Sequence, residues 1–232
     1  MGNLALTYSY QGRWKEAEEL QVQVTQTRKR VLGDEHPDTL ASMHHLAATY
    51  SDQGRWKEAE ELHLQVAQTR KRVLGDEHPD TLTGMANLAS TYRNQGRWKE
   101  AEELNVQVTQ TRKRVLGDEH PDTLLSMANL ALMYSDQGRW KEAEELHLQV
   151  TQTRKRVLGD EHPDTLLSMH NLAFTLHLQA RHEEAFALME ICSQLREQVL
   201  GEQHPDTQWS LDTLSDWRAE CSNESPRPYL RM

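Results

Sequence analysis

The chain has 232 residues, a formal charge of −10 from 36 acidic and 26 basic side chains, and 37% hydrophobic against 27% charged residues. That balance excludes the basic surface that non-specific nucleic-acid binding needs, and no run approaches the ~18 apolar residues of a membrane span. Two cysteines without metal spacing, Cys192 and Cys221, exclude a disulfide scaffold; with no visible signal peptide, a reducing, cytoplasmic compartment is expected.

The first residues, MGNLALT, come close to a myristoylation start but carry Leu6 where Ser or Thr is needed. Met1 instead falls in register with Met43, Met85, Met127 and Met169, and Asn3-Leu4-Ala5 with Asn87-Leu88-Ala89. The chain is therefore expected to begin inside a helix, as a fragment of a longer protein, with residues 1–35 forming a truncated first unit.

The first whole unit opens at His36. Pro37 suits the first helical position and Asp38 the first turn, although Asp38 is also a candidate N-cap. Leu40, Met43, Leu46, Ala47 and Tyr50 then recur at helical spacing, which predicts a helix A from Pro37 to about Gln53, ended by Gly54. Helix B follows at once, with Trp56, Ala59, Leu62, Val66 and Val73 on its buried stripe. Ala59 is expected to allow close approach of helix A, and Trp56 to fill the turn between the helices. Lys57 and Glu61 form an i,i+4 pair on the wet side, Arg70-Lys71-Arg72 a solvated last turn, and Gly75 the C-cap.

The same signals repeat along the chain. QGRWKEAEEL stands at residues 11–20, 53–62, 95–104 and 137–146, so Trp14, Trp56, Trp98 and Trp140 are each 42 residues apart. HPDT recurs on that period at His36, His78, His120, His162 and His204. A fixed period of this length means a solenoid, in which each unit covers the apolar face of the next. Four whole units are expected over residues 36–203, with B helices at 14–32, 56–74, 98–116, 140–158 and 182–200. The fifth unit drifts, with Ala180 in place of Gly and His182 in place of Trp. A last helix from about Pro205 to Arg218 reads as a cap within 204–220, and 221–232 as a disordered tail. Trp14, Trp56, Trp98, Trp140, Gly54, Gly96 and Gly138 carry structural roles on this reading.

Leu46, Ala47, Tyr50, Gly54, Trp56 and Ala59 resemble the tetratricopeptide signature L-G-x-x-Y…G-x-Y-x-x-A. The usual repeat is about 34 residues; the 42-residue unit with LGDEHPDT at its junction is similar to the repeats of kinesin light chain and to the repeat tails of fungal NOD-like receptors. The resemblance spans Met1 to about Trp217 and implies an all-α, right-handed superhelical solenoid of antiparallel helix pairs. His63, with Gln21, Asn105 and His147 in the other copies, departs from the aromatic usual in the family.

The copies differ mainly in helix A. GRWKEAEEL and QTRKRVLGDEHPDTL are constant from the first unit to the fourth. The changes fall on Ala41, Thr83, Leu125 and Leu167; on His44, Ala86, Ala128 and His170; on Ala48, Ser90, Leu132 and Phe174; on Ser51, Arg93, Ser135 and His177; and on Asp52, Asn94, Asp136 and Leu178. These positions form one helical stripe, apart from the packing stripe. The resemblance implies that this second stripe lines a concave groove, about 40 Å long for A helices about 10 Å apart. Its early part is small and polar, its later part apolar, and Trp209 continues it. A peptide or partner protein anchored by apolar groups at the C-terminal half is the expected ligand. Free drift of exposed positions is the competing explanation, but drift would mark helix B as well.

No chemistry-bearing constellation emerges. The HPDT histidines lie a repeat apart, His44 and His45 point different ways, and paired carboxylates in EAEE are surface charge. There is no phosphate loop, nucleophile elbow or CxxC, so no metal, cofactor or catalytic residue is expected. The function expected is partner recognition, either as the tail of a larger NOD-like receptor or as a kinesin-light-chain-like cargo adaptor. The adaptor reading sits poorly with Arg93 as the one Lys or Arg on the stripe. End-to-end self-association through the truncated first unit is a third expectation.

Overall fold

The computed structural model describes residues 4–5, 7–8 and 11–223, with side chains to residue 220. Residues 4–5 and 7–8 are helical, while Met1 and Asn3 lie outside the described residues. Helices follow at Trp14–Leu32 (α1), Pro37–Asp52 (α2), Trp56–Leu74 (α3), Pro79–Asn94 (α4), Trp98–Leu116 (α5), Pro121–Asp136 (α6), Trp140–Leu158 (α7), Pro163–Leu178 (α8), His182–Leu200 (α9) and Pro205–Asn223 (α10). No strand occurs among the described residues. The chain divides into two compact units, Met1–Ser126 and Met127–Met232. In the first unit α1 packs on α2, α2 on α3, α3 on α4 and α4 on α5; in the second α7 packs on α8, α8 on α9 and α9 on α10.

Local chemistry sets these boundaries. His36, not Asp38, caps α2: its Nδ1 accepts the Asp38 N–H at 3.1 Å, and Pro37 takes the first helical position. His78, His120, His162 and His204 do the same for the residue two further on. At the far end of α2, Gly54 adopts φ 74°, which lets the Arg55 N–H reach back to the Tyr50 carbonyl at 2.9 Å. Ala180 keeps this turn at φ 59° without being glycine, and the Arg181 N–H still reaches Leu176 O at 3.1 Å. The last helix runs five residues beyond Arg218 to Asn223, so 221–223 belong to the helix and not to the tail. Residues 224–232 lie outside the described residues.

Small side chains set the packing distance. Ala17, Ala59, Ala101, Ala143 and Ala185 are all fully buried. Around them lie apolar clusters such as Leu40, Met43 and Val66 in the first unit, and Leu166, Met169 and Cys192 in the second. The repeat tryptophans are only partly covered: Trp14 and Trp56 are half-buried, and Trp98 and Trp140 are each 39% exposed.

The constant charges are not merely wet surface. Glu18 accepts hydrogen bonds from Gln53 Nε2 at 2.9 Å and Arg55 Nη1 at 2.8 Å, both from the next repeat. Glu60 receives Gln95 and Arg97 in the same way, at 2.8 and 2.7 Å. Glu144 receives Gln179 and Arg181 at 2.8 and 2.5 Å. Each of Arg55, Arg97 and Arg139 also lies over a tyrosine ring, Tyr50, Tyr92 and Tyr134, at 4.0–4.2 Å. Glu58 pairs with Arg55 at 2.9 Å. In the QTRKR segment the last arginine stays exposed, as at Arg72 and Arg114, but the first is drawn into the packing, and Arg196 stands at that place in the last copy. Arg112, Arg154 and Arg196 are at most 6% exposed and donate to the carbonyls of Asp122, Asp164 and Asp206 at the start of the next helix.

Two substitutions test these devices. Ala180→Gly relieves a left-handed alanine and should stabilise the chain by about 0.5–1 kcal/mol, seen as a higher urea midpoint; an unchanged midpoint would mean no strain is held there. A double-mutant cycle of Glu60→Gln and Arg97→Gln should give a measurable favourable coupling, read from urea midpoints, as expected for a hydrogen-bonded ion pair. A coupling near zero would remove the clasp from the account.

Candidate functional site

The variable stripe of helix A does not face solvent uniformly. In the first unit Asp52, Thr83, Ser90, Asn94 and Leu125 are exposed, while Ala41, His44, Ala48, Ser51, Ala86 and Arg93 are half-buried. In the second unit Asp136, Leu167, Leu178 and Trp209 are exposed, and Leu132, Ser135, Phe174 and His177 are half-buried. Ala128 and His170 are buried, His170 completely. These two are corrections to the groove assignment. Their column turns toward neighbouring helices, so they shape the face from beneath and cannot touch a ligand.

His44 shows what the column does in the first unit. Its Nδ1 lies 3.2 Å from His63 Nε2 on α3, and 3.2 Å from the Asn87 amide on α4. His63 Nδ1 meets Thr91 Oγ1 at 2.9 Å. The departure from the family aromatic at residue 63 is thus absorbed by a polar network across three helices. His147 occupies the same place on α7, but neither ring nitrogen has a hydrogen-bond partner. Burial pushes the pKa of His44, His63 and His147 down to about 4, and that of His170 to about 3. Among the described residues no group of three His, Cys, Asp or Glu side chains could hold a metal ion.

In the second unit the column supports an aromatic platform. Trp209 rests on the buried His170 ring, with centroids 3.8 Å apart, while 45% of Trp209 stays exposed. Arg196 holds the floor, donating to the Asp206 carbonyl at 2.8 Å and to Ser210 Oγ at 2.6 Å. Beside it Phe174 packs edge-on against Trp217 at 5.3 Å, and His177 stacks on Trp217 at 4.2 Å and 3°. Trp217 is 4% exposed and joins Leu172, Leu176, Met189 and Leu214 in the core. Phe174 therefore belongs to the seam between α8 and α10, and the open apolar surface is Leu167, Leu178 and Trp209. Sequence reading gave no role to Trp217, Phe186 or Arg196. The one signal was that Phe186 stands where Glu18, Glu60 and Glu144 stand in other units.

A shallow cavity of about 460 Å³ lies elsewhere in the second unit, lined by Gly138, Arg139, Trp140, Lys141, Glu142 and Gln179. These are constant-motif residues, so that hollow does not involve the variable stripe.

The tetratricopeptide repeat family matches the chain over five overlapping stretches, residues 1–71, 44–113, 84–155, 127–190 and 165–224. Among solved structures, a Podosopora anserina protein named for kinesin light chain, with nearly identical TPR-like repeats, is 36% identical. It aligns over 85% of this chain and 93% of its own, with a TM-score of 0.71; a single-residue variant of it gives 0.73 at the same identity and coverage. BtubC (BKLC) from P. vanneervenii shares the fold at 16% identity, covering 94% of this chain and 96% of its own with a TM-score of 0.65. No curated protein matches the chain.

The buried histidines carry a pH prediction. Their unfolded value is about 6.5 and their folded values are depressed, so the unfolded chain takes up protons first as pH falls. The stability they confer is complete above pH ~6.5 and declines as pH falls toward ~4. Replacing His147 by Asn, the residue of the third copy, should flatten that decline between pH ~6.5 and ~5, before most carboxylates titrate. Parallel urea midpoints for the two proteins across that window would refute it.

Proposed function

The chain belongs to the tetratricopeptide repeat family, and from that premise we propose that it is a protein-interaction module without catalytic activity. It takes a peptide or partner protein on the variable stripe of its A helices, with apolar anchors toward the C-terminal end. The observation that carries this reading is the exposed apolar surface of the second unit. Leu167, Leu178 and Trp209 are 40–45% exposed on a stripe whose residues differ from copy to copy. Apolar groups gathered on one face are more often interaction sites than surface accident. Trp209 is moreover held rigid from below, which lowers the ordering cost of binding.

Recognition by a cytoplasmic tail of a larger NOD-like receptor is the role we favour, since a constant frame with one variable stripe suits partner discrimination. Similarity to a protein named for kinesin light chain supports the cargo-adaptor reading. The stripe offers an acidic cargo motif only one basic side chain, Arg93, and that is half-buried. End-to-end self-association has less support. A second copy would have to meet the clasp donors Gln11 and Arg13 with a carboxylate, and at the last clasp position Phe186 has none.

The direct test is selection of binders from a displayed peptide library, followed by affinity measurement on variants. Leu167→Asp and Leu178→Asp should each weaken a selected peptide by about tenfold or more while leaving the helical circular dichroism unchanged. Phe174→Asp is the wrong probe, because it would disturb the packing of α10. Selected peptides that bind both variants as tightly as the parent would remove this face from the function.

A further inference from the structure

The exposed face of α8 and α10 has a charge pattern that selects among partners, and the inference drawn from it rests on the groove reading above. On α10, Trp209, Asp212, Asp216 and Glu220 stand at i, i+3, i+7 and i+11, one stripe, and all four are exposed. The stripe of α8 alongside presents Leu167 and Leu178. The residues Pro163–Leu178 contain no Lys or Arg at all. On α10 the basic side chain is Arg218, which turns to Glu190 on α9 at 2.8 Å. Arg196 lies 5.8 Å behind the Trp209 ring but is 2% exposed and bound to a carbonyl and a hydroxyl, so it does not present its charge to the face. His177 Nε2 lies 3.2 Å from the Glu220 carboxylate, and its Nδ1 lies 3.2 Å from His182 on α9. Asp164 and Asp206, about half exposed, add carboxylates at the N-terminal ends of the two helices.

We propose that this face docks a basic amphipathic segment of a partner protein, whose apolar side chains seat on Leu167, Leu178 and Trp209 and whose lysines or arginines meet Asp212, Asp216 and Glu220. An acidic segment with the same anchors is repelled by the exposed carboxylates of Asp212 and Asp216, which is discrimination by like charge. The Trp209 ring, fixed on His170, can take an apolar side chain or the stem and head of a Lys or Arg.

Two fluorescent helical peptides test this, with identical Leu and Trp anchors and either Lys or Glu at every polar position. Anisotropy with the full chain should show the Lys peptide bound about tenfold or more tightly than the Glu peptide, with affinity dropping several-fold from low salt to ~0.3 M. Asp212→Asn with Asp216→Asn should erase most of that preference. Glu61→Gln with Glu103→Gln, which removes equal charge from exposed sites of the first unit, should leave it intact. If both double variants weaken the Lys peptide equally, the attraction is net charge alone and the proposal falls. Equal or tighter binding of the Glu peptide overturns the basic partner but leaves the groove reading standing. If neither peptide binds, and library selection also fails, the groove reading fails with it. Affinity that rises when residues 224–232 are removed assigns the face to the chain's own Arg227–Arg231 stretch instead. Concentration-dependent association abolished by Leu167→Asp assigns it to a second copy. Either result overturns the external partner.

Discussion

The interaction on which the repeats depend is the carboxylate clasp between one B helix and the turn of the next unit. Helix pairs alone would pack through alanine and methionine with little to fix their mutual rotation, because apolar contact is non-directional. Glu60 supplies the direction. It accepts one hydrogen bond from Gln95 and one from Arg97, two residues apart across the turn, and Arg97 is steadied by the Tyr92 ring. Gly96 makes that spacing available, since its left-handed backbone puts the amide side chain and the guanidinium on the same side of the bend. Four constant letters of the motif are thereby explained by one geometry. The fifth unit shows the converse. Phe186 replaces the clasp glutamate where the chain no longer carries Gln and Arg 35 and 37 residues on, and the freed position becomes a wall for Trp217, with ring centroids 5.8 Å apart.

A second junction works at the other end of each B helix. Arg112, Arg154 and Arg196 leave water to bind the first-turn carbonyl of the following helix and, in each case, a serine one turn later. Burying a guanidinium is costly unless its donors find partners, and HPDT provides one at a fixed place because its histidine and proline start the helix there, although Arg112 Nε stays without one. Arg72 adds an outer pair with Glu35 of the previous junction at 2.7 Å. The constancy of KEAEEL and TRKR thus has a structural cause. These segments cannot drift freely, so their sameness is no measure of how fast free positions change. The case for recognition then rests on the exposed apolar residues themselves, not on the contrast between helix A and helix B.

Most of the fold could be read from the sequence because the signals are local and repeated. Proline after histidine, glycine before Arg-Trp, and apolar residues at helical spacing place every helix within a residue or two, except the end of α10. What escaped was long-range and polar. Glu60 looks like any surface glutamate until Gln95 and Arg97 are brought to it, and TRKR looks like a frayed basic end until Asp122 or Asp164 covers it. The stripe was legible as a stripe, but not its depth. Spacing assigns His170 and Leu167 to the same face, and only Trp209 lying on His170 decides that one is floor and the other surface. His44 escaped for the same reason, since its partner His63 lies on another helix.

The half-exposed tryptophan of α10 has a physical cost that bears on function. On α10 the exposed residues include Asp212, Ser215, Asp216 and Arg218, which water can solvate. The same helix could have carried a polar residue at position 209, as Thr83 does in the first unit. It carries instead the largest apolar side chain, half in water, over a histidine whose pKa burial pushes down to about 3 and an arginine turned to the Asp206 carbonyl and the Ser210 hydroxyl. A tryptophan needed only to shield His170 would gain more by burying both faces, as Trp217 does a short distance along the same helix. Shielding accounts for its inner face alone. The outer face, bounded by carboxylates and neighbouring Leu167, is shaped for contact with something the chain itself does not place there among its described residues.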